Sequence, residues 1–289
     1  MGKHLLIAAI AALCSSFFAN AASQQWMKFH CGNDTTKINQ LLKQGYDSKI
    51  SSPNELIVFY GNLLLGTPYV ANTLEGDNEL LTVNIDQLDC TTFIETLYAL
   101  TRTTLNGRYS WRDFTNNLEA IRYRNGRMDG YESRLHYICD WIVDNAHRGN
   151  ITEITASLPN VRYKVKTIDY MTTHRDLYPA LADSATFASL KSFEIAYRMH
   201  RFPYIRKSDV NSKSIKERLK SGDIIALVTK IDGLDVSHMA IIVADKDGKF
   251  HMMHASSDKK KVILETDDLK ETLRRNRNCE GIRIIRIKH

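Results

Sequence analysis

Cys90 is the residue whose type and setting in the sequence are best suited to nucleophilic chemistry. It directly precedes TTFIETLYALTRTTL, whose apolar spacing predicts a helix. A thiol at a helix N-terminus lies near unpaired backbone N–H groups and the positive end of the helix dipole. Both favour the thiolate, and the N–H groups can also stabilise an oxyanion. On position alone, a buried and inert cysteine is the alternative.

His238 is the candidate base for this thiol. It begins the β-prone run HMAIIVAD, and alternation places it on the same face as Ala240 and Ile242. We expect the small Ala240 to let the helix that carries Cys90 approach closely. An isolated histidine at a strand start is otherwise a surface residue.

His254 lies near the end of the next β-prone run, KFHMMHAS. It shares a face with Phe250 and Met252, the side expected to point into the core, and can reach across an antiparallel neighbour to orient His238. A base held by a third polar group is a general arrangement for activating a thiol.

The elements that must position these residues change in type along the chain. Residues 34–105 show helical spacing, with a helix start at Ser52-Pro53, and residues 106–215 are expected to form a helical and looped insertion. Residues 216–289 contain five β-prone runs separated by turns: DIIALVTK, HMAIIVAD, KFHMMHAS, KKVILET and GIRIIRIK. Helices followed by an antiparallel sheet predict an α+β fold.

Residues 1–21 have the pattern of a secretory signal peptide. A basic start at Lys3 precedes an apolar stretch, and Ala19-Asn20-Ala21 fits a cleavage site. The apolar stretch is shorter than the roughly 20 residues that span a bilayer, and no later segment has such a run. We expect residues 22–289 to form one domain that is exported to the periplasm or secreted.

Charge and cysteine content limit the function classes. The net charge is +6, but lysine and arginine are spread along the chain without a long cationic run, so no nucleic-acid partner is expected. Cys31, Cys90, Cys139 and Cys279 are too few for a disulfide framework, and no C-x-x-C pair suggests a structural zinc site. Whether the cysteines other than Cys90 are bridged stays open.

Four motifs, in this order along the chain, resemble the NlpC-type family of papain-like cell-wall peptidases. They are LGTPYV at 65–70, DCTTF at 89–93, HMAI at 238–241 and HAS at 254–256. Further stretches (NTLE, LDCTTFIE, SRLHY, MTTH and GLDVSHMAI) resemble a narrower N-acetylmuramoyl-L-alanine amidase-like branch, and extend the resemblance over most of the mature chain. Thr91-Thr92 depart from the Ser-Gly or Ser-Ala usual in the broad family, which should alter the pocket wall beside the nucleophile.

The resemblance implies a papain-like core and a role for each matching residue. Cys90 is expected to be the nucleophile, His238 the general base and then acid, and His254 the residue that orients the base. Tyr69 matches a tyrosine whose hydroxyl helps to bind the oxyanion.

Three further residues are candidates to bind the substrate. Arg134 and His136 in SRLHY, and His174 in MTTH, could contact a peptide carboxylate or a sugar. A guanidinium suits a carboxylate, but an ordinary helix salt bridge is an equally good explanation of Arg134.

The resemblance implies cleavage of the amide between N-acetylmuramic acid and L-alanine in muropeptides, by a monomer that uses no cofactor and no metal. A γ-D-glutamyl-diaminopimelate endopeptidase of the same fold and a non-catalytic peptidoglycan-binding module are the alternatives.

A zinc site built from Cys90, His238 and His254 is a further alternative. These residues are possible zinc ligands, but the sequence lacks an HExxH motif. Loss of activity with a chelator would favour the zinc site.

Overall fold

Five of the nine helices lie in the first half of the described chain. The computed structural model describes residues 26–288, so the predicted signal peptide lies outside the described residues. The helices in chain order are α1 (Asp34–Asp47), α2 (Pro53–Leu63), α3 (Cys90–Leu105), α4 (Trp111–Arg122), α5 (Ile138–His147), α6 (Tyr170–Thr173), α7 (Ser184–Ala196), α8 (Lys213–Lys216) and α9 (Leu269–Arg275). None of the helices within 26–288 is long and apolar enough to cross a membrane.

Strands dominate the C-terminal part. They are β1 (Met27–Phe29), β2 (Leu81–Val83), β3 (Ile151–Glu153), β4 (Arg162–Lys166), β5 (His200–Arg206), β6 (Ile224–Thr229), β7 (Val236–Ala244), β8 (Phe250–Ser256), β9 (Lys261–Asp268) and β10 (Cys279–Ile287). An eight-stranded sheet has the order β4-β5-β10-β6-β7-β8-β9, with β3 also paired to β10, and all of its pairs are antiparallel. The predicted α+β class and the five predicted C-terminal strands are confirmed.

The prediction that residues 106–215 are helical and looped is incomplete. This region also supplies β3, β4 and β5 to the main sheet. The sequences of β4 and β5, RYKVK and HRFPYIR, contain several basic residues and one proline. Strands near the edge of a sheet bury little side-chain area, so their sequences lack the apolar run that reveals a central strand.

The two faces of the sheet pack against different helices. Met239 and Ile241 of β7 belong to the apolar cluster that contains Phe93 of α3, whereas Ala240 packs in a second cluster with Leu273 of α9. The expectation that Ala240 admits the cysteine-bearing helix is therefore wrong. The alternation was assigned correctly, but the helix packs on the opposite face of the strand.

Candidate active site

The helix that carries the cysteine begins at Cys90 because Asp89 caps it. The Asp89 carboxylate accepts hydrogen bonds from the backbone N–H groups of Thr91 (3.0 Å) and Thr92 (2.8 Å). In return, the backbone N–H of Asp89 donates to Thr92 Oγ1 at 2.9 Å. This reciprocal capping box fixes the first turn of α3. Thr92, where the sequence departs from the broad family, is thus part of the cap.

Cys90 lies where strands β7 and β8 separate. The described pairing of these two strands begins at Ile241 and Met253, so Met239 is paired with β6 alone. The backbone N–H of Met239 is directed at the Cys90 sulfur and favours its ionised form. The Thr91 hydroxyl lies 3.9 Å from the same sulfur. The thiol therefore has donors from both the helix start and the strand that carries His238.

Burial outweighs these donors. It raises the pKa of the Cys90 thiol to about 11, and the negative charge of Asp89 acts in the same direction. Burial thus opposes the effect of the helix N-terminus, and the thiol is the favoured form in the free protein. The free energy needed to desolvate a sulfur anion is larger than the stabilisation that the helix start and the Met239 N–H provide.

This protonation state predicts how the thiol responds to pH. Below a pKa of about 11, the thiolate fraction of Cys90 rises tenfold for each pH unit. We expect the rate of Cys90 alkylation by iodoacetamide to rise about tenfold per unit between pH 6 and pH 9, as measured by mass spectrometry of the Cys90 peptide. A rate that is independent of pH between 5 and 8 would show a preformed thiolate instead.

His238 and His254 are in direct contact. His238 Nε2 lies 2.7 Å from His254 Nδ1, and their rings meet edge to face with centroids 4.8 Å apart. Burial, with a smaller contribution from the neighbouring His254, lowers the pKa of His238 to about 3. Both histidines are neutral near pH 7, so His238 is in the form that can accept a proton.

Glu265 contacts the second histidine of this pair. The sequence did not indicate a role for it. Its Oε1 lies 3.1 Å from His254 Nε2. The β8–β9 hairpin pairs His254 with Ile263, so Glu265, two residues further, shares the face of His254. The tight turn after HAS could have revealed this neighbour, but one acidic residue in KKVILET gives no local indication of a role.

Tyr69 lies on a segment that contacts both the residues before Cys90 and the β8–β9 turn that follows His254. Tyr69 forms a parallel bridge with Leu88, two residues before Cys90, and its backbone N–H donates to the carbonyl of Lys260 in the β8–β9 turn. Burial raises the pKa of Tyr69 to about 12, with smaller contributions from Asp89 and from Cys90, which is ionised only at the high pH where the phenol titrates. The phenol therefore keeps its proton and can donate a hydrogen bond.

The structure joins the predicted residues in two groups. His238 and His254 are hydrogen-bonded, whereas Tyr69 is close enough to Cys90 for an ionised Cys90 to raise the pKa of the phenol. Within residues 26–288, no hydrogen bond links the Cys90 sulfur to His238. His238 engages His254 through Nε2, which leaves Nδ1 as the ring nitrogen available to a thiol.

A polar cavity of about 650 Å³ lies beside the histidine pair, on the sheet face opposite α3. His238, His254 and Glu265 line it, together with Lys259 and Arg275. Cys90 and Tyr69 are not among its lining residues. The histidine pair therefore faces this cavity, whereas the thiol does not line it.

Arg134 lies in a buried position and pairs with acidic side chains of the loop before β2. Its Nη2 is 3.0 Å from Glu75 Oε1 and its Nε is 3.4 Å from Glu79 Oε1, although the N–H directions form no well-aligned hydrogen bond. Arg134 follows a short 3-10 turn and precedes α5, so an ordinary helix salt bridge does not describe it. Its role toward a substrate stays a prediction.

The two other candidates for substrate binding make local contacts. His136 Nε2 lies 2.8 Å from the carbonyl of Tyr131, and burial lowers the pKa of His136 to about 3. His174 is exposed and stacks on Tyr170, with ring centroids 4.0 Å apart. Neither ring is hydrogen-bonded to the catalytic candidates in the described chain, and their roles also stay predictions.

One group of side chains elsewhere has the composition of a metal site. The ligand atoms of Cys31, Asp34 and Asp86 lie within 4.8 Å of one another. Lys37 Nζ is 2.7 Å from Asp86 Oδ1, so an ammonium group already balances much of this negative charge. The four described cysteines are free thiols, with Cys139 and Cys279 buried.

The α+β fold and its buried or partly buried cysteine, histidine and glutamate side chains fit an enzyme of the hydrolase class. Residues 60–282 match the family described as AmiA-like, N-acetylmuramoyl-L-alanine amidase-like, and the chain belongs to this family. The matched range includes Tyr69, Cys90, His238, His254 and Glu265. Family membership makes the protein an amidase-like enzyme that acts on the cell wall.

Several solved structures are similar to this chain. An N-acetylmuramoyl-L-alanine amidase from Bacteroides uniformis ATCC 8492 is 37% identical, with a TM-score of 0.77 over 82% of this chain and 99% of that chain. A putative xylanase from Bacteroides fragilis is 38% identical, with a TM-score of 0.73 over 78% and 98% of the two chains. A Legionella pneumophila protein shares the fold at 20% identity and a TM-score of 0.66, covering 88% and 95%. No curated protein matches the sequence.

Proposed function

We propose that this enzyme hydrolyses the amide bond between the lactyl group of N-acetylmuramic acid and L-alanine in muropeptides. The observation that carries the proposal is the family match over residues 60–282, which spans every candidate catalytic residue. The similarity to the Bacteroides uniformis amidase over nearly the whole of that chain supports the same bond.

The proposed reaction is acyl transfer through Cys90. The sulfur attacks the lactyl carbonyl as its proton passes to His238 Nδ1, and the resulting oxyanion is held by backbone N–H groups and the Tyr69 hydroxyl. The carbon–nitrogen bond then breaks, and His238 returns the proton to the amine of L-alanine. Water hydrolyses the thioester, which gives a free lactyl carboxylate and regenerates the thiol.

The neutral states of the two residues fit this sequence of steps. The thiol pKa is raised to about 11 and the His238 pKa is lowered to about 3, so at rest the proton stays on sulfur. Proton transfer then accompanies attack, as in general-base catalysis of a neutral nucleophile.

The proposal also covers the superfamily, the location and the oligomeric state of the protein. We assign the domain to the NlpC-type papain-like hydrolases, because a helix-start cysteine and two strand histidines occur in that order along the chain. We also propose that the protein is exported through its N-terminal segment, meets muropeptides in the periplasm or outside the cell, and acts as a monomer without a cofactor.

Analysis of the products distinguishes this proposal from its alternatives. Purified enzyme is incubated with defined disaccharide muropeptides, and mass spectrometry identifies the products. We expect a free peptide that begins with L-alanine and a peptide-free sugar with an intact lactyl acid. An endopeptidase would leave L-Ala-D-Glu on the sugar, and binding without any product would indicate a non-catalytic module. Either result would contradict the proposed amidase.

A further inference from the structure

Glu265 lies beyond the histidine pair and has no role in the proposed reaction. Glu265 of β9 contacts His254 on the side away from His238. Its side chain is 17% exposed, whereas that of His254 is 8% exposed. Glu265 thus reaches the buried pair from the wall of the polar cavity.

The direction of each hydrogen bond in this chain follows from the chemistry of its last member. A carboxylate accepts hydrogen bonds and has no proton to give, so His254 Nε2 must carry the hydrogen in the 3.1 Å contact. Neutral imidazole has a single N–H, which leaves His254 Nδ1 as an acceptor. In the 2.7 Å contact with His254 Nδ1, the hydrogen must therefore lie on His238 Nε2.

We infer that Glu265 is a positioning residue that acts through His254 and keeps His238 Nδ1 free of a proton. This inference rests on the proposed function, in which His238 Nδ1 receives the proton of Cys90. Without Glu265, the His254 ring can place its hydrogen on Nδ1 and donate to His238 Nε2. The hydrogen of His238 would then lie on Nδ1, and the base would be blocked.

Two variants separate the acceptor from the charge. Glu265→Leu removes the acceptor, and we expect kcat to fall about 10- to 100-fold while KM stays within about twofold. Glu265→Gln keeps a carbonyl oxygen that can accept from His254 Nε2, and we expect it to restore most of kcat. Glu271→Leu, at an exposed glutamate that pairs with Arg274 on α9, is the matched control and should leave kcat unchanged.

Nitrogen NMR of ¹⁵N-histidine-labelled protein tests the inference without any substrate, because ring ¹⁵N shifts report which nitrogen carries the proton. We expect His238 to be protonated at Nε2 in the natural protein and in Glu265→Gln, and at Nδ1 in Glu265→Leu. The two signals can be assigned by substituting His238 and His254 in turn.

The results distinguish failure of this inference from failure of the proposed function. A natural protein without amidase activity overturns the proposed reaction, and the NMR measurement then decides the role of Glu265 alone. An unchanged His238 tautomer in Glu265→Leu, or a Glu265→Leu enzyme with unchanged kcat, would overturn the role of Glu265. A Gln variant as impaired as the Leu variant would also overturn it, because the acceptor would then not be the decisive property.

Discussion

Replacing Cys90 by alanine is expected to lower kcat for muropeptide hydrolysis by about 10³-fold or more, as measured by release of the L-alanine amine. The proposed reaction passes through a thioester, and alanine has no atom that can form one. Removal of the sulfur should leave the Asp89 cap intact, because the cap uses backbone groups and Thr92 rather than the thiol. Substrate binding should therefore persist, and isothermal titration with a muropeptide can measure it.

Cys31→Ala is the matched control for this experiment. Cys31 is also a partly exposed free thiol, but it hydrogen-bonds to Asn33 and Asp34 near the start of α1. We expect Cys31→Ala to keep natural activity. Turnover by Cys90→Ala at a rate comparable to the control would disprove the thiol mechanism.

Replacing Arg122 by methionine is expected to give the largest loss of stability, about 3–5 kcal/mol in the free energy of unfolding. Arg122 Nε donates to Glu95 Oε2 at 2.6 Å, and both side chains are only 3% exposed. Arg122 Nη1 also donates to the carbonyl of Thr82 at 2.7 Å. Burial raises the pKa of Glu95, and Arg122 opposes this rise, so methionine would leave Glu95 on helix α3 without its counter-charge.

Urea unfolding monitored by circular dichroism measures this loss. Arg274→Met removes the exposed pair with Glu271 and serves as the surface control, with an expected cost below about 1 kcal/mol. The double variant Glu95→Leu with Arg122→Met should recover much of the stability, because no unpaired charge then remains. Equal losses in Arg122→Met and Arg274→Met would show that the buried pair does not hold α3 in place.

Local sequence patterns predicted much of the framework. The helix that begins at Cys90 follows from the apolar spacing of residues 91–105, and its cap uses the adjacent Asp89. Alternation alone placed His254 on the face shared with Met252, and the contact with His238 agrees with that assignment. These features depend on residues within one helix or strand, or on adjacent strands, so local sequence patterns are enough to predict them.

Features that depend on long-range contacts could not be predicted from the sequence. Strands β3, β4 and β5 acquire their pairing from β10 and from each other, and their own sequences are too polar to show it. The contact between Arg134 and the loop containing Glu75 and Glu79 likewise joins segments more than fifty residues apart.

The sequence by itself determined the α+β class, the helix start at Cys90 and the order of the candidate catalytic residues, because periodicity and capping act over a few neighbouring positions. Only the tertiary structure decided which face of β7 meets α3, that Glu265 lies beside His254, and that burial raises the pKa of Cys90. The first two depend on how separate segments pack and pair, and the third on the free energy of desolvation, which is set by the complete surroundings of a group.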